Sequence, residues 1–281
     1  GPYSLTWTPT NGTATTLVSS SESGWSAGAV TAAVTVGGAS AGTGTFTATD
    51  NSTNSLTNGT LGFTFYPASF TVTAAADTQT AGKPWTLTVT ALDSAGGTVT
   101  RYAGAAALSV NYVNPTTGTF GLSSSAISAA SFVSGVAAVS LSYPDAGSIT
   151  ITAKDTTYIT GITIQGTSSN ISFNPYTFTV VTPPPPGGRT VYYVGEPFTA
   201  TVTAKNYNGA GTPNYRSTAS FTSQTGITPP ANYGFVATDA GTHVFSGITT
   251  TLAGSYTVTA QDTVYTTITG LSPIVKAVNA K

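Results

Sequence analysis

A ten-residue phrase written three times limits what this chain can fold into. The last copy runs Ala253-Gly254-Ser255-Tyr256-Thr257-Val258-Thr259-Ala260-Gln261-Asp262. The middle copy is Ala146-Gly147-Ser148-Ile149-Thr150-Ile151-Thr152-Ala153-Lys154-Asp155, and the first is Ala41-Gly42-Thr43-Gly44-Thr45-Phe46-Thr47-Ala48-Thr49-Asp50. Each is a turn followed by strict alternation: Tyr256, Val258 and Ala260 on one face, Thr257, Thr259 and Gln261 on the other. Period two is the mark of a half-buried strand. The closing aspartates recur about every 105 residues, the length of one β-sandwich.

A second phrase opens the two later repeats. In Trp85-Thr86-Leu87-Thr88-Val89-Thr90-Ala91 and Phe198-Thr199-Ala200-Thr201-Val202-Thr203-Ala204 the apolar residues face one way and the threonines the other. Trp85 and Phe198 are therefore expected in the core. Turn clusters follow, at Leu92–Gly97 and Lys205–Gly209. Phe70-Thr71-Val72 after Tyr66-Pro67, and Phe178-Thr179-Val180 after Asn174-Pro175, mark short prolyl joints. The resulting division is 1–66, 67–176 and 177–281, with neighbours held semi-rigidly in line. Apolar residues nowhere recur at helical spacing behind a cap, so the chain is all-β.

Two irregularities stand out. Pro183–Pro186, followed by Gly187-Gly188, has no counterpart in the middle repeat and reads as an exposed polyproline kink between first and second strands. It breaks an edge strand or docks a proline-reading module. The first repeat, in turn, is entered midway. Ser4–Thr13 resembles Leu108–Gly118, and Trp25–Gly28 resembles Phe132–Gly135, so its first two strands are missing. Either residues 1–66 were cut from a longer array, or a neighbouring chain completes the sheet by head-to-tail self-association. Gly1-Pro2 resembles a protease remnant or a mature N-terminus.

Only 6% of the 281 residues are charged and the net charge is −1. This gives no electrostatic footprint for nucleic acid or an anionic membrane. Solubility falls to hydroxyls and amides, while 40% hydrophobic residues in regular alternation argue against disorder. No run reaches membrane-spanning length, so no membrane insertion is expected. There is no cysteine, so cores must hold by packing alone. Low charge and abundant threonine point to an extracellular or cell-surface location.

Chemistry is sparse. Gly38-Ala39-Ser40-Ala41-Gly42 matches a nucleophile elbow in letters, but no helix follows. His243 is the single histidine and reads as structural. Asp50, Asp155 and Asp262 are the acids common to all three repeats; they cap backbone N–H groups after the strand or, alternatively, hold Ca²⁺. Tyr192, Tyr193, Tyr207 and Tyr215 are either ordinary strand and turn residues or a glycan platform. Asn11, Asn51, Asn58 and Asn170 begin sequons.

These phrases resemble the bacterial Ig-like repeats of large surface proteins. The likeness is strongest in Pro230–Phe235, Asp239–Phe245 and Ala253–Asp262 and covers 67–281 well and 3–66 partially. It implies tandem immunoglobulin-like β-sandwich domains in an elongated arrangement, displayed outside the cell. Tyr256, two residues before Val258, sits where a tyrosine corner would place its hydroxyl on nearby backbone; Ile149 and Gly44 cannot do this. Val258, Ile151 and Phe46 supply plain apolar filling where antibodies carry cysteine. The expected role is a non-enzymatic stalk or fibre segment without a cofactor, with a self-assembling filament subunit or a carbohydrate-binding adhesin as alternatives.

Overall fold

The computed structural model describes residues 3–9, 42–50, 59–158, 161, 163–222 and 224–280, and side chains from residue 66 onward. Its N-terminal strands β1 (Tyr3–Pro9), β2 (Gly42–Asp50) and β3 (Gly59–Phe65) form one antiparallel sheet in that order. Tyr3 stands opposite Asp50 and Trp7 opposite Phe46. The elbow-like Gly38–Ala41, the segment around Trp25 and Asn11, and Asn51 and Asn58 lie outside the described residues.

The middle sandwich comprises β4 (Ser69–Ala74), β5 (Thr78–Thr80), β6 (Trp85–Leu92), β7 (Ala106–Asn114), β8 (Ala126–Ile127), β9 (Val136–Leu141), β10 (Gly147–Asp155), β11 (Gln165–Thr167) and β12 (Ile171–Asn174). One sheet is β4-β6-β9; the other is β5-β12-β10-β7-β8, with β11 also on β10. The opening strand is split between sheets: β4 is antiparallel to β6, then β5 runs parallel to β12. First, second and fifth strands facing third, sixth and seventh is the immunoglobulin arrangement.

The C-terminal sandwich repeats it with β13 (Thr177–Val181), β14 (Tyr192–Tyr193), β15 (Phe198–Lys205), β16 (Thr218–Phe221), β17 (Ile227–Thr228), β18 (Tyr233–Gly234), β19 (Thr242–Thr250), β20 (Gly254–Tyr256), β21 (Thr259–Asp262), β22 (Thr269–Leu271) and β23 (Val275–Val278). Its sheets are β13-β15-β19-β17, β18-β16-β21-β22 and β14-β23-β20, with β14 parallel to β23. β1, β2 and β3 pair in the same order as β7, β10 and β12. Tyr3 opposite Asp50 matches Ala106 opposite Asp155 and Ala219 opposite Asp262.

Alternation places the cores. Trp85, Leu87, Val89 and Ala91 are buried against Phe70, Phe132, Tyr143 and Phe173. Phe198, Ala200, Val202 and Ala204 are buried against Phe178, Tyr215, Phe235 and Phe245. Each large apolar side chain withdrawn from water contributes about 1.5–3 kcal/mol. Val258 and Ile151 are also buried. The Tyr256 hydroxyl donates to the Leu252 carbonyl at 2.9 Å, closing the expected corner.

The ladders depart from the expected pattern in two places. The phrase Ala253–Asp262 reads as one strand but divides: β20 pairs β23, whereas β21 pairs β16 and β22. The last strand is broken in both sandwiches, and a serine fills each gap. The Ile151 N–H donates to Ser168 Oγ and the Val258 N–H to Ser272 Oγ, both at 2.9 Å. Each serine N–H returns a bond to the same residue's carbonyl. The polyproline run occupies the crossing from β13 to β14, with Pro183, Pro184 and Pro186 exposed. Its ends are tied by Tyr192 Oη donating to the Pro183 carbonyl and Arg189 Nε to that of Pro186. Arg189 also grips Glu196 with two nitrogens and lies over the Tyr193 ring.

Candidate functional site

Three kinds of site emerge from the side chains. The first is the buried acid at the end of the repeated phrase. Asp155 accepts from the Tyr102 phenol and, at 2.9 and 2.7 Å, from the N–H groups of Thr157 and Tyr158. Asp262 accepts from the Tyr215 phenol at 2.5 Å, from the N–H groups of Val264 and Tyr265, and from Ser217 Oγ. Burial first, then the adjacent carboxylate, holds both phenols well above their ordinary pKa, so each stays a donor. A calcium site needs several converging oxygens; these carboxylates are ringed by donors instead. Among the described residues no three His, Cys, Asp or Glu side chains converge on a metal-sized space. The side chain of Asp50 lies outside the described residues.

The second is the aromatic knot of the C-terminal sandwich. Two phrases close in sequence but on different sheets meet here: Tyr233 stacks on His243 with ring centroids 3.4 Å apart, and Phe235 and Phe245 meet the same pair edge-on. His243 Nδ1 lies 3.5 Å from Asp239, whose other oxygen accepts the Val236 N–H. These are cross-sandwich packing contacts around a half-buried histidine. The four candidate glycan tyrosines do not share a surface. Tyr192 and Tyr215 are 3% and 2% exposed and belong to the core, whereas Tyr193 and Tyr207 are 41% and 48% exposed. Tyr192 packs on Phe198, Tyr215 on Phe178 and Phe235, and Tyr207 on Tyr176.

The third site is the joint between the sandwiches, and it is the most elaborate polar arrangement described. On the middle sandwich it uses two turns. The first is Ala81-Gly82, whose N–H groups bond to the carbonyls of Asn174 and Tyr143. The second is Pro144-Asp145-Ala146. The C-terminal sandwich contributes the turn after β15 and the segment before β16. The Tyr207 N–H donates to the Ala81 carbonyl at 2.9 Å. Asn206 Nδ2 donates to the Pro144 carbonyl at 2.8 Å and Asn208 Nδ2 to that of Gly82 at 3.3 Å. Asn206 Oδ1 meanwhile accepts the N–H groups of Asn208 and Ala210, fixing its own turn. Gly82 has φ +76, and a Cβ there would press on Asn206 at 3.1 Å. Both conditions call for glycine.

Asp145 is the centre of that joint. It is fully buried. Its Oδ1 accepts the N–H groups of Ala146 at 2.8 Å and Asn214 at 3.2 Å, and its Oδ2 accepts Asn214 Nδ2 at 2.7 Å. Desolvation pushes its pKa up; the Asn214 and Ala146 donors and the Arg216 charge pull it part of the way back. Ala146 itself packs into the C-terminal core, so apolar packing runs across the junction. Tyr176 and Tyr207 meet edge-to-face beside it, 5.2 Å apart. Sequence reasoning found the prolyl link and the turn Lys205–Gly209 but singled out neither Asp145 nor Asn214. A signal was present: Asp145 directly precedes the repeated phrase, where the last repeat has Leu252.

Residues 145–271 match the profile of a family described as DUF6701, third domain. That segment starts at Asp145 and therefore carries the joint with it. No curated protein sequence matches the chain. Among solved structures the chain is similar to FdeC, an adhesin of Escherichia coli: 16% identity, 85% of this chain and 74% of that one covered, TM-score 0.39. It is similar to invasin, a bacterial integrin-binding protein, at 15% identity over 98% of this chain and 53% of that one, TM-score 0.39. A family 2 glycosyl hydrolase from Bacteroides cellulosilyticus is similar at 12% identity over 71% of this chain and 23% of that one, TM-score 0.29. A likeness of fold does not by itself choose an activity. No helix among the described residues is long and apolar enough to cross a membrane.

Proposed function

We propose that this chain is a non-enzymatic structural segment of a prokaryotic surface or secreted protein, with units at 67–176 and 177–281 and a partial unit at 1–66. Its work is to provide length and stiffness. The observation that carries this reading is the joint: a buried carboxylate and three asparagines spend their hydrogen bonds fixing one sandwich on the next. A flexible tether would leave such groups in water. The resemblance to bacterial surface proteins supports the location outside the cell. Small-angle X-ray scattering tests the reading. A single elongated particle fits one rigid arrangement of the two sandwiches; a profile that needs an ensemble of inter-sandwich angles removes it.

A carbohydrate-binding role is favoured by one feature, the exposed Tyr176–Tyr207 pair, 52% and 48% exposed, at the flank of the joint. A glycan array in which binding is lost with Tyr207→Ala supports that role, and an array without hits dismisses it. Completion of the sheet of β1, β2 and β3 by a neighbour is the filament alternative; a monodisperse monomer in size-exclusion chromatography rules it out.

A further inference from the structure

We propose that the C-terminal sandwich carries a second joint face, formed by Val194-Gly195 and Thr251-Leu252-Ala253, built to receive the asparagine-bearing turn of a further sandwich with an apolar residue opposite Leu252. The inference rests on the stalk reading and names the partner that reading requires.

The face reproduces the occupied one bond for bond. In the middle sandwich the Ala81 N–H reaches the Asn174 carbonyl at 2.8 Å and the Gly82 N–H reaches Tyr143 at 2.7 Å. In the C-terminal sandwich the Val194 N–H reaches Val278 at 2.9 Å and the Gly195 N–H reaches Thr250 at 2.8 Å. The next residue closes each turn in the same way, Lys83 on Thr80 and Glu196 on Tyr193. Gly82 and Gly195 have φ +76 and +82. The correspondence therefore sets Val194 on Ala81, Gly195 on Gly82, Thr251 on Pro144 and Leu252 on Asp145.

What differs is the cover. Ala81 and Asp145 are 0% exposed and Ala146 3%, because Asn206, Tyr207, Asn208 and Asn214 sit on them. Gly195, Thr251 and Ala253 are exposed, and Leu252 is 55% exposed. A Cβ on Gly82 would strike Asn206, whereas one on Gly195 would meet nothing within 4 Å. The carbonyls of Val194, Gly195 and Thr251 occupy the places of those that accept Tyr207 N–H, Asn208 Nδ2 and Asn206 Nδ2. A backbone N–H and two amide side chains on a tight turn are the chemistry they accept. Leu252 stands where the occupied joint has the carboxyl group of Asp145. An asparagine opposite it, as at Asn214, would lose both acceptors on desolvation; an apolar side chain there gains burial.

The test extends the full chain after Ala280 with a second copy of residues 177–281, so that Asn279 and Ala280 take the places of Pro175 and Tyr176. The protein has no cysteine. Val244→Cys in both copies therefore gives one pair of spin labels, and double electron–electron resonance reads the spread of their separation. With Asn214→Leu in the added copy, the expected distribution is as narrow as that between Ser140→Cys and Val244→Cys across the existing joint. A broad distribution there, with a narrow one for the existing joint, overturns this proposal and leaves the stalk reading intact. A narrow distribution obtained only when Leu252→Asp faces an unaltered Asn214 also overturns it, because the partner would then be polar. A broad distribution across the existing joint removes the reading on which the proposal rests.

Discussion

Tyr102 and Tyr215 show how much one side chain can settle. Each donates its phenol to the aspartate that ends the repeated phrase, and that aspartate holds the two N–H groups following the strand. Tyr102→Phe or Tyr215→Phe withdraws a hydrogen bond from a buried carboxylate and should cost about 1.5–3 kcal/mol in chemical denaturation. A loss below about 0.5 kcal/mol would mean that the phenol is incidental. Thr212 gives the opposite case: its Oγ1 is buried without a partner among the described residues. Thr212→Val should be neutral or raise stability by up to about 1 kcal/mol, and a clear loss would reveal an acceptor. The aspartates were legible in sequence because they recur at a fixed spacing with turn chemistry after them. Their tyrosine partners were not, because Tyr102 lies 53 residues from Asp155 and no local pattern links the two. The Tyr256 corner was legible through its two-residue offset from Val258. The tyrosines proposed for glycan contact show the converse limit. Tyr192 and Tyr193 are adjacent in sequence, yet alternation buries the first and exposes the second.

Period two identified most of the long strands, since β6 and β15 alternate without a fault from Trp85 to Ala91 and from Phe198 to Ala204. Alternation is silent about which sheet a strand joins. It therefore gave no sign that Ala253–Asp262 changes partners between Tyr256 and Thr259, or that Ser168 and Ser272 replace a ladder bond with a side-chain bond. The joint turn Lys205–Gly209 was legible as a turn, but nothing local marked Asn206, Tyr207 and Asn208 as the residues that meet the middle sandwich. Asp145 supplies a pH dependence with a defined sign. Desolvation raises its folded pKa above the unfolded value, so the folded state holds the extra proton. Its contribution to stability is full below the ordinary carboxylate range and is lost as pH rises through the raised value. The melting temperature of the wild type should therefore fall relative to Asp145→Asn as pH is raised across that interval. A wild type that gains on the variant over the same interval would show that the Asn214, Ala146 and Arg216 interactions outweigh burial.

At the scale of the molecule, two apolar cores supply stability, and the proposed stiffness resides in the polar joint between them. Asp155 and Asp262 already face hydrogen-bond donors, so adding Ca²⁺ or a chelator should leave the melting temperature unchanged within about 1 °C. A rise of several degrees with Ca²⁺ would support the calcium reading and direct attention to Asp50. The order of the sandwiches was legible from the repeats, whereas the fixity of their arrangement depends on contacts between residues far apart in sequence, such as Asn214 with Asp145. The most direct measurement is ¹⁵N relaxation of the full chain, compared residue by residue between the middle and C-terminal sandwiches. The account predicts that both fit one rotational diffusion tensor, and that Asn206→Ala with Asn214→Ala splits them into two. Independent tumbling in the unaltered protein would contradict it.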